Sequence, residues 1–220
     1  MRALGRLVRG LSILFWTLPL TFVACIETAR APWMDFLGPA AFAPAVVLNA
    51  ALLYGLLQMR PFQKQERVWL QALDRAEALA LINIGLAPFL FWWRRFPSVP
   101  LYAFSAGLFV LTSVLFLIQV NRALQRLAAM IPDETVRTET RVFAGFNIGL
   151  LVAVFVGLSV YFGLQRFQGL PEPVARVMTA LGERGLWLIL FLTILPLAMT
   201  MALAWKIKEV IFAGIFSADG

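Results

Sequence analysis

Six stretches of this chain are apolar for long enough to cross a lipid bilayer, and their spacing constrains the fold more than any motif does. A hydrocarbon core of about 30 Å takes roughly 17–25 apolar residues per helix. The stretches run over about 7–26, 36–59, 78–93, 100–121, 142–164 and 185–205. Lipid offers no hydrogen bonds, so each stretch must satisfy its own backbone, and separate apolar runs of this length do so as helices. Composition agrees: 61% of residues are hydrophobic and 14% charged, too little polar surface to coat a water-soluble globule. The expected fold class is all-α, a polytopic integral membrane bundle of about six transmembrane helices forming one domain over 1–220.

Orientation follows from the basic residues in alternate loops, because Lys and Arg accumulate on the cytoplasmic side. Thirteen lie on one side (Arg2, Arg6, Arg9, Arg60, Lys64, Arg67, Arg75, Arg122, Arg126, Arg137, Arg141, Lys206, Lys208) and six on the other. This predicts a multi-pass protein of the cell membrane, the inner membrane of a bacterial cell, with both termini cytoplasmic. Arg94 and Arg95 oppose the trend, but they follow Trp92 and Trp93 and are placed to snorkel to the outer headgroups. The first segment also carries signal-peptide features, with Phe22-Val23-Ala24-Cys25 near a lipoprotein cleavage box. Phe22 fits that box poorly, and an uncleaved first helix, kinked at Pro19, is the reading preferred.

The helix breakers show where the helices outrun the membrane. Arg60-Pro61 ends the second segment. Trp69, Leu70, Leu73, Ala76, Ala80 and Asn83 then recur at helical spacing, so the third helix starts in the cytosol and runs to Trp93. Val120, Leu124, Leu127 and Ile131 carry the fourth helix past its charged residues until Ile131-Pro132-Asp133 breaks it. Asp133 is a suitable N-cap for the next helix, with Glu134 in its first turn. Helices 3–5 are thus expected to extend into the cytosol, with extensions over about 63–77 and 122–141. An internal echo, Asn83-Ile84-Gly85-Leu86 against Asn147-Ile148-Gly149-Leu150, hints at a parallel repeat of two hairpins, although four residues in a chain of this composition also coincide by chance.

No acidic or basic side chain falls near the centre of any segment; Glu27, Glu77 and Arg141 lie at edges. An intramembrane charge is the usual carrier of a proton relay or an ion-coupling site, so a self-contained proton-driven transporter has no evident carrier. Asn49, Asn83 and Asn147 are the most polar groups well inside segments, with Gln119 and Asn121 nearer an edge. They read as interhelical contacts, or alternatively as the polar lining of a substrate or ion path. Gly145 and Gly149 make a Gly-x-x-x-Gly pair suited to close packing inside the bundle or to homodimerisation. Mixed charges over 66–77 and 133–141 read as solvated helix faces. Within them Arg67, Arg75, Arg126, Asp133 and Arg137 are the residues for a partner surface, whether a protein or anionic headgroups.

The chain has no His and a single Cys, Cys25. That removes the commonest general base, the usual haem and zinc ligand, and any intrachain disulfide framework. No phosphate-binding Gly-rich loop, nucleophile elbow or paired-aspartate motif is present. Neither a cofactor nor catalysis is expected. The net charge of +7 is spread over short loops rather than gathered in a stripe, so nucleic acid is not expected as a partner. The expected partners are the lipid bilayer and a protein partner or homo-oligomer. The leading expectation is a non-catalytic structural or scaffolding subunit, or a transporter accessory, binding through its cytosolic helical hairpin. A small channel or transporter with an Asn-lined path is second, and a membrane-embedded enzyme third.

Overall fold

The computed structural model describes residues 2–131, 134–164 and 191–212. Among the described residues the chain is helical apart from short turns, with no strand. Six helices are long and apolar enough to span a membrane. They are α1 (Arg2–Arg30), α2 (Ala43–Met59), α3 (Arg67–Arg95), α4 (Pro100–Ala129), α5 (Glu134–Leu164) and α6 (Phe191–Phe212). A 3-10 segment, Pro32–Phe42, joins α1 to α2. Each helix from α1 to α4 packs against the next, and α3 also touches α1. The last helix reaches α1 through Phe15 and Trp205, whose ring centroids are 5.2 Å apart.

The over-length of the middle helices is plain. α3 runs 29 residues without a break, starting where Glu66 caps it by accepting the Trp69 backbone N–H at 3.2 Å. α4 runs 30 residues from Val99-Pro100, with proline at the N-terminal position that needs no hydrogen bond. It closes at Met130, whose N–H bonds back to the Leu127 carbonyl at 3.1 Å. Asp133 and residues 185–190 of the sixth predicted segment lie outside the described residues. The second segment differs at its start. Residues 36–42 belong to the 3-10 segment, because Gly38 at φ 56°, ψ −133° breaks the helical path and Pro44 then seeds α2 at its first turn.

The main core sits at the α2–α3 and α4–α5 turn end of the bundle. Leu7, Leu11, Leu56, Met59, Trp69, Leu73, Leu124, Leu127 and Ile207 are all completely or almost completely buried there. A smaller cluster of Ala45, Ala87, Leu90, Ala106 and Phe109 fills the other half. The main cluster also takes in Leu14, Leu18, Leu52 and Leu203 within the apolar spans. Burying a leucine against another helix contributes about 1.5–3 kcal/mol where it is withdrawn from water, and little where a lipid tail would otherwise cover it.

Two turns are pinned by charge. Arg60, just past α2, reaches α3 and meets Asp74 at 2.9 Å and Glu77 at 2.8 Å. At the opposite end, Arg94 does not snorkel free. It donates to the Ala31 carbonyl and lies 5.4 Å over the Phe91 ring. Nearby, Trp33 donates to Glu27 at 2.9 Å. α1 and α2 approach closely at Gly10 and Gly55. A Cβ built on Gly10 would lie 2.6 Å from the Gly55 carbonyl oxygen. The pair expected to pack inside the bundle, Gly145 and Gly149, does not: among the described residues nothing lies within 4 Å of a Cβ on either. Both glycines stand exposed on α5.

Candidate functional site

Polar side chains concentrate in two places, one inside the bundle and one at its turn end. Inside, Asn121, Asn147 and Thr200 form a knot joining α4, α5 and α6, all three fully buried. The Asn147 amide nitrogen lies 3.0 Å from Asn121 Oδ1, 3.0 Å from Thr200 Oγ1 and 3.1 Å from the Pro196 carbonyl. Asn121 Nδ2 in turn donates to Thr200 Oγ1 at 2.9 Å and to its own helix's Leu117 carbonyl at 2.8 Å. The backbone carbonyls of Leu117 and Pro196 can only accept, so they fix both amide orientations. Among the described residues Asn147 Oδ1 is then left as a buried acceptor with no partner.

The other two amides make smaller sets. The Thr112 hydroxyl on α4 lies 2.6 Å from Asn83 Oδ1 on α3 and 2.9 Å from the Leu108 carbonyl, sharing one proton between them. Asn49 donates to the Ala45 carbonyl at 2.8 Å, one turn back in its own helix, and faces Cys25 Sγ on α1 at 3.8 Å. Asn83 and Asn147 therefore bond to different partners and not to each other. The tetrapeptide echo does have a counterpart in the contacts: in each copy the asparagine meets a threonine hydroxyl of the following helix.

At the turn end a cavity of about 160 Å³ opens between α4 and α5, lined by Gln125, Arg126, Ala129, Arg137 and Arg141. Its geometry follows from the hairpin. Arg126 and Arg137 are equidistant from the break at Ile131-Pro132, so antiparallel helices bring them level. Arg141 stands one turn further along α5, on the face of Arg137. Arg137 donates to the Ala129 carbonyl at 3.0 Å, capping the end of α4 where the helix dipole is negative. Among the described residues no carboxylate lines the cavity. Glu139, the acidic residue between the two α5 arginines, turns instead to Lys206 of α6.

Of the surface residues singled out from sequence, Arg126 and Arg137 meet at this cavity. Arg67 and Arg75 stand exposed on α3, and Asp133 lies outside the described residues. Sequence reasoning missed Gln125 as a lining residue and Thr112 and Thr200 as amide partners. The α5 periodicity could have found Arg141 as a cavity residue, since it follows Arg137 by four. The threonines carried no such signal. Among the described residues no cluster of His, Cys, Asp or Glu suited to a metal ion comes together.

No protein family, curated protein or solved structure matches the chain. Its class therefore rests on its own features, and the six apolar helices fit a multi-pass membrane protein.

Proposed function

We propose that this chain is a non-catalytic component of the cell inner membrane, a structural subunit or transporter accessory that engages a partner at its cytosolic end. Both termini lie in the cytoplasm on this reading, as the loop charges require. The observation that carries it is the division of polar groups. Asn83, Asn121 and Asn147 are engaged with neighbouring helices inside the bundle, while Arg67 and Arg75 stand exposed on α3, on the proposed projection. Amides that bond to one another across helices hold register and leave little to coordinate a passing solute. A transport path lined by Asn49, Asn83 and Asn147 has less support for that reason.

The test is photo-crosslinking in native membranes from exposed positions on α3, replacing Arg67 or Arg75, against lipid-facing controls such as Leu101. The reading expects one adduct of discrete mass from the α3 positions, lost when the other of the two arginines is changed to Glu. Crosslinks from α3 that match the lipid-facing controls would refute it.

A further inference from the structure

The arginine-lined cavity stands at the head of a row of small exposed residues that winds round α5, and the two together describe a ligand. Arg137 and Arg141 begin a row spaced by four along α5 that runs on through Gly145, Gly149, Ala153 and Gly157, all exposed. Rows of this spacing slant across a helix by about 26°. With no side chain beyond a methyl, this one is a shallow trough beside the exposed Val142 and Phe146. From Gly145 to Ala153 it descends roughly 12 Å at 1.5 Å per residue, most of one leaflet of a core about 30 Å thick.

The head of the trough is built for an anion. Arg137 and Arg141 are like charges one turn apart, an arrangement that costs stability, and Arg126 adds a third from α4. Arg126 and Arg141 have no ion pair among the described residues. Guanidinium groups present paired N–H donors that match phosphate oxygens, and the Gln125 amide adds another donor. A cavity of about 160 Å³ takes a phosphate-sized group and not a folded peptide segment.

From the cavity and the trough together we infer that this face of α4 and α5 is a specific binding site for one anionic phospholipid, its phosphate among Arg126, Arg137 and Arg141 and an acyl chain along Gly145, Gly149 and Ala153. Among the described residues the lining carries three guanidinium groups and no carboxylate to hold a choline or ethanolamine ammonium, so it favours a net-negative headgroup. The inference goes beyond the docking reading and stands without it, needing only that the helices lie in a bilayer.

The experiment uses the full chain purified in mild detergent, titrated with dioleoylphosphatidylglycerol, dioleoylphosphatidylcholine or inorganic phosphate, with bound lipid counted by native mass spectrometry. One phosphatidylglycerol per chain should be retained saturably, and phosphatidylcholine should not compete for the place. Arg126→Gln or Arg141→Gln should each weaken retention about tenfold, the loss expected for one charge-assisted contact. Gly149→Leu, which fills the trough, should weaken it comparably, and Arg67→Gln on α3 should not change it. Arg137 is left intact because it caps α4, and should Arg141→Gln fold poorly, Arg126→Gln carries the comparison. Equal retention of phosphatidylcholine would overturn the site. So would an equal loss in Arg67→Gln, which would mean diffuse attraction of basic loops to an anionic surface. Displacement of the lipid by millimolar inorganic phosphate would assign the cavity to the free ion, and a photo-crosslinker at position 126 that captured protein instead of lipid would assign it to a partner. Either result would overturn the lipid assignment.

Discussion

Asn147 and Asn49 look equivalent in the sequence, each a lone amide in an apolar run, yet they stand in different positions energetically. The Asn147 amide reaches α4 and α6 at once, whereas Asn49 bonds chiefly within its own helix. Asn147→Leu should therefore lower stability by about 1–2 kcal/mol, the range for interhelical hydrogen bonds in lipid. Asn49→Leu should cost clearly less. Thermal unfolding of the two variants in one detergent gives the ranking, and the reverse order would show that the α4–α5–α6 knot does not bind the helices together. The glycines divide in the same way. Gly10→Ala drives a methyl into the Gly55 carbonyl, a backbone atom that cannot swing aside, and should cost about 1–3 kcal/mol as an overpacked site does. Gly145→Ala meets nothing and should cost none. That the asparagines would be the buried polar groups was legible, because nothing else so polar lies deep in the segments. Their partners were not. Thr112 and Thr200 resemble any membrane threonine bonding to its own preceding turn, and helical spacing does not say which helix stands opposite.

At the scale of the element, α3 and α4 were the most legible parts of the chain. Their apolar stripes continue past the first charged residues, and that continuation distinguishes a projecting helix from one that stops at the headgroups. The far side was harder. Residues 36–42 are as apolar as a helix, and only the conformation demanded at Gly38 turns them into a 3-10 segment. The projection makes a quantitative claim about leucine. On the proposed topology, which puts the fully buried Leu127 beyond the hydrocarbon, Leu127→Ala should cost about 2–5 kcal/mol. Leu101→Ala, 60% exposed on α4, should cost little, since the lost contacts are with lipid. Chemical unfolding of both variants decides it; equal costs would place the main core within the bilayer.

For the molecule as a whole, the count of loop charges is the only guide to which end faces the cytosol, and it makes a sharp claim. In a background where Cys25 is replaced by Ala, a cysteine at Lys64 or at Arg122 should resist a membrane-impermeant thiol reagent in intact cells and react once they are permeabilised. Labelling in intact cells would invert the topology. The basic cavity was half legible at this scale. A turn at Ile131-Pro132 pairs Arg126 with Arg137 by symmetry, but that Glu139 would turn to Lys206 on a helix more than sixty residues away could not be read from spacing.

The placement of the main core has a consequence for handling. On the proposed topology, Trp69, Leu73, Leu124 and Leu127 bind the helices together from outside the hydrocarbon. Removing lipid leaves that clamp intact, so the chain should survive extraction into mild detergent without losing its helix arrangement. The same clamp is exposed to whatever is dissolved in the aqueous phase. Urea, which weakens apolar burial in water, should loosen the helices from the turn end first, whereas thinning the bilayer should affect them much less.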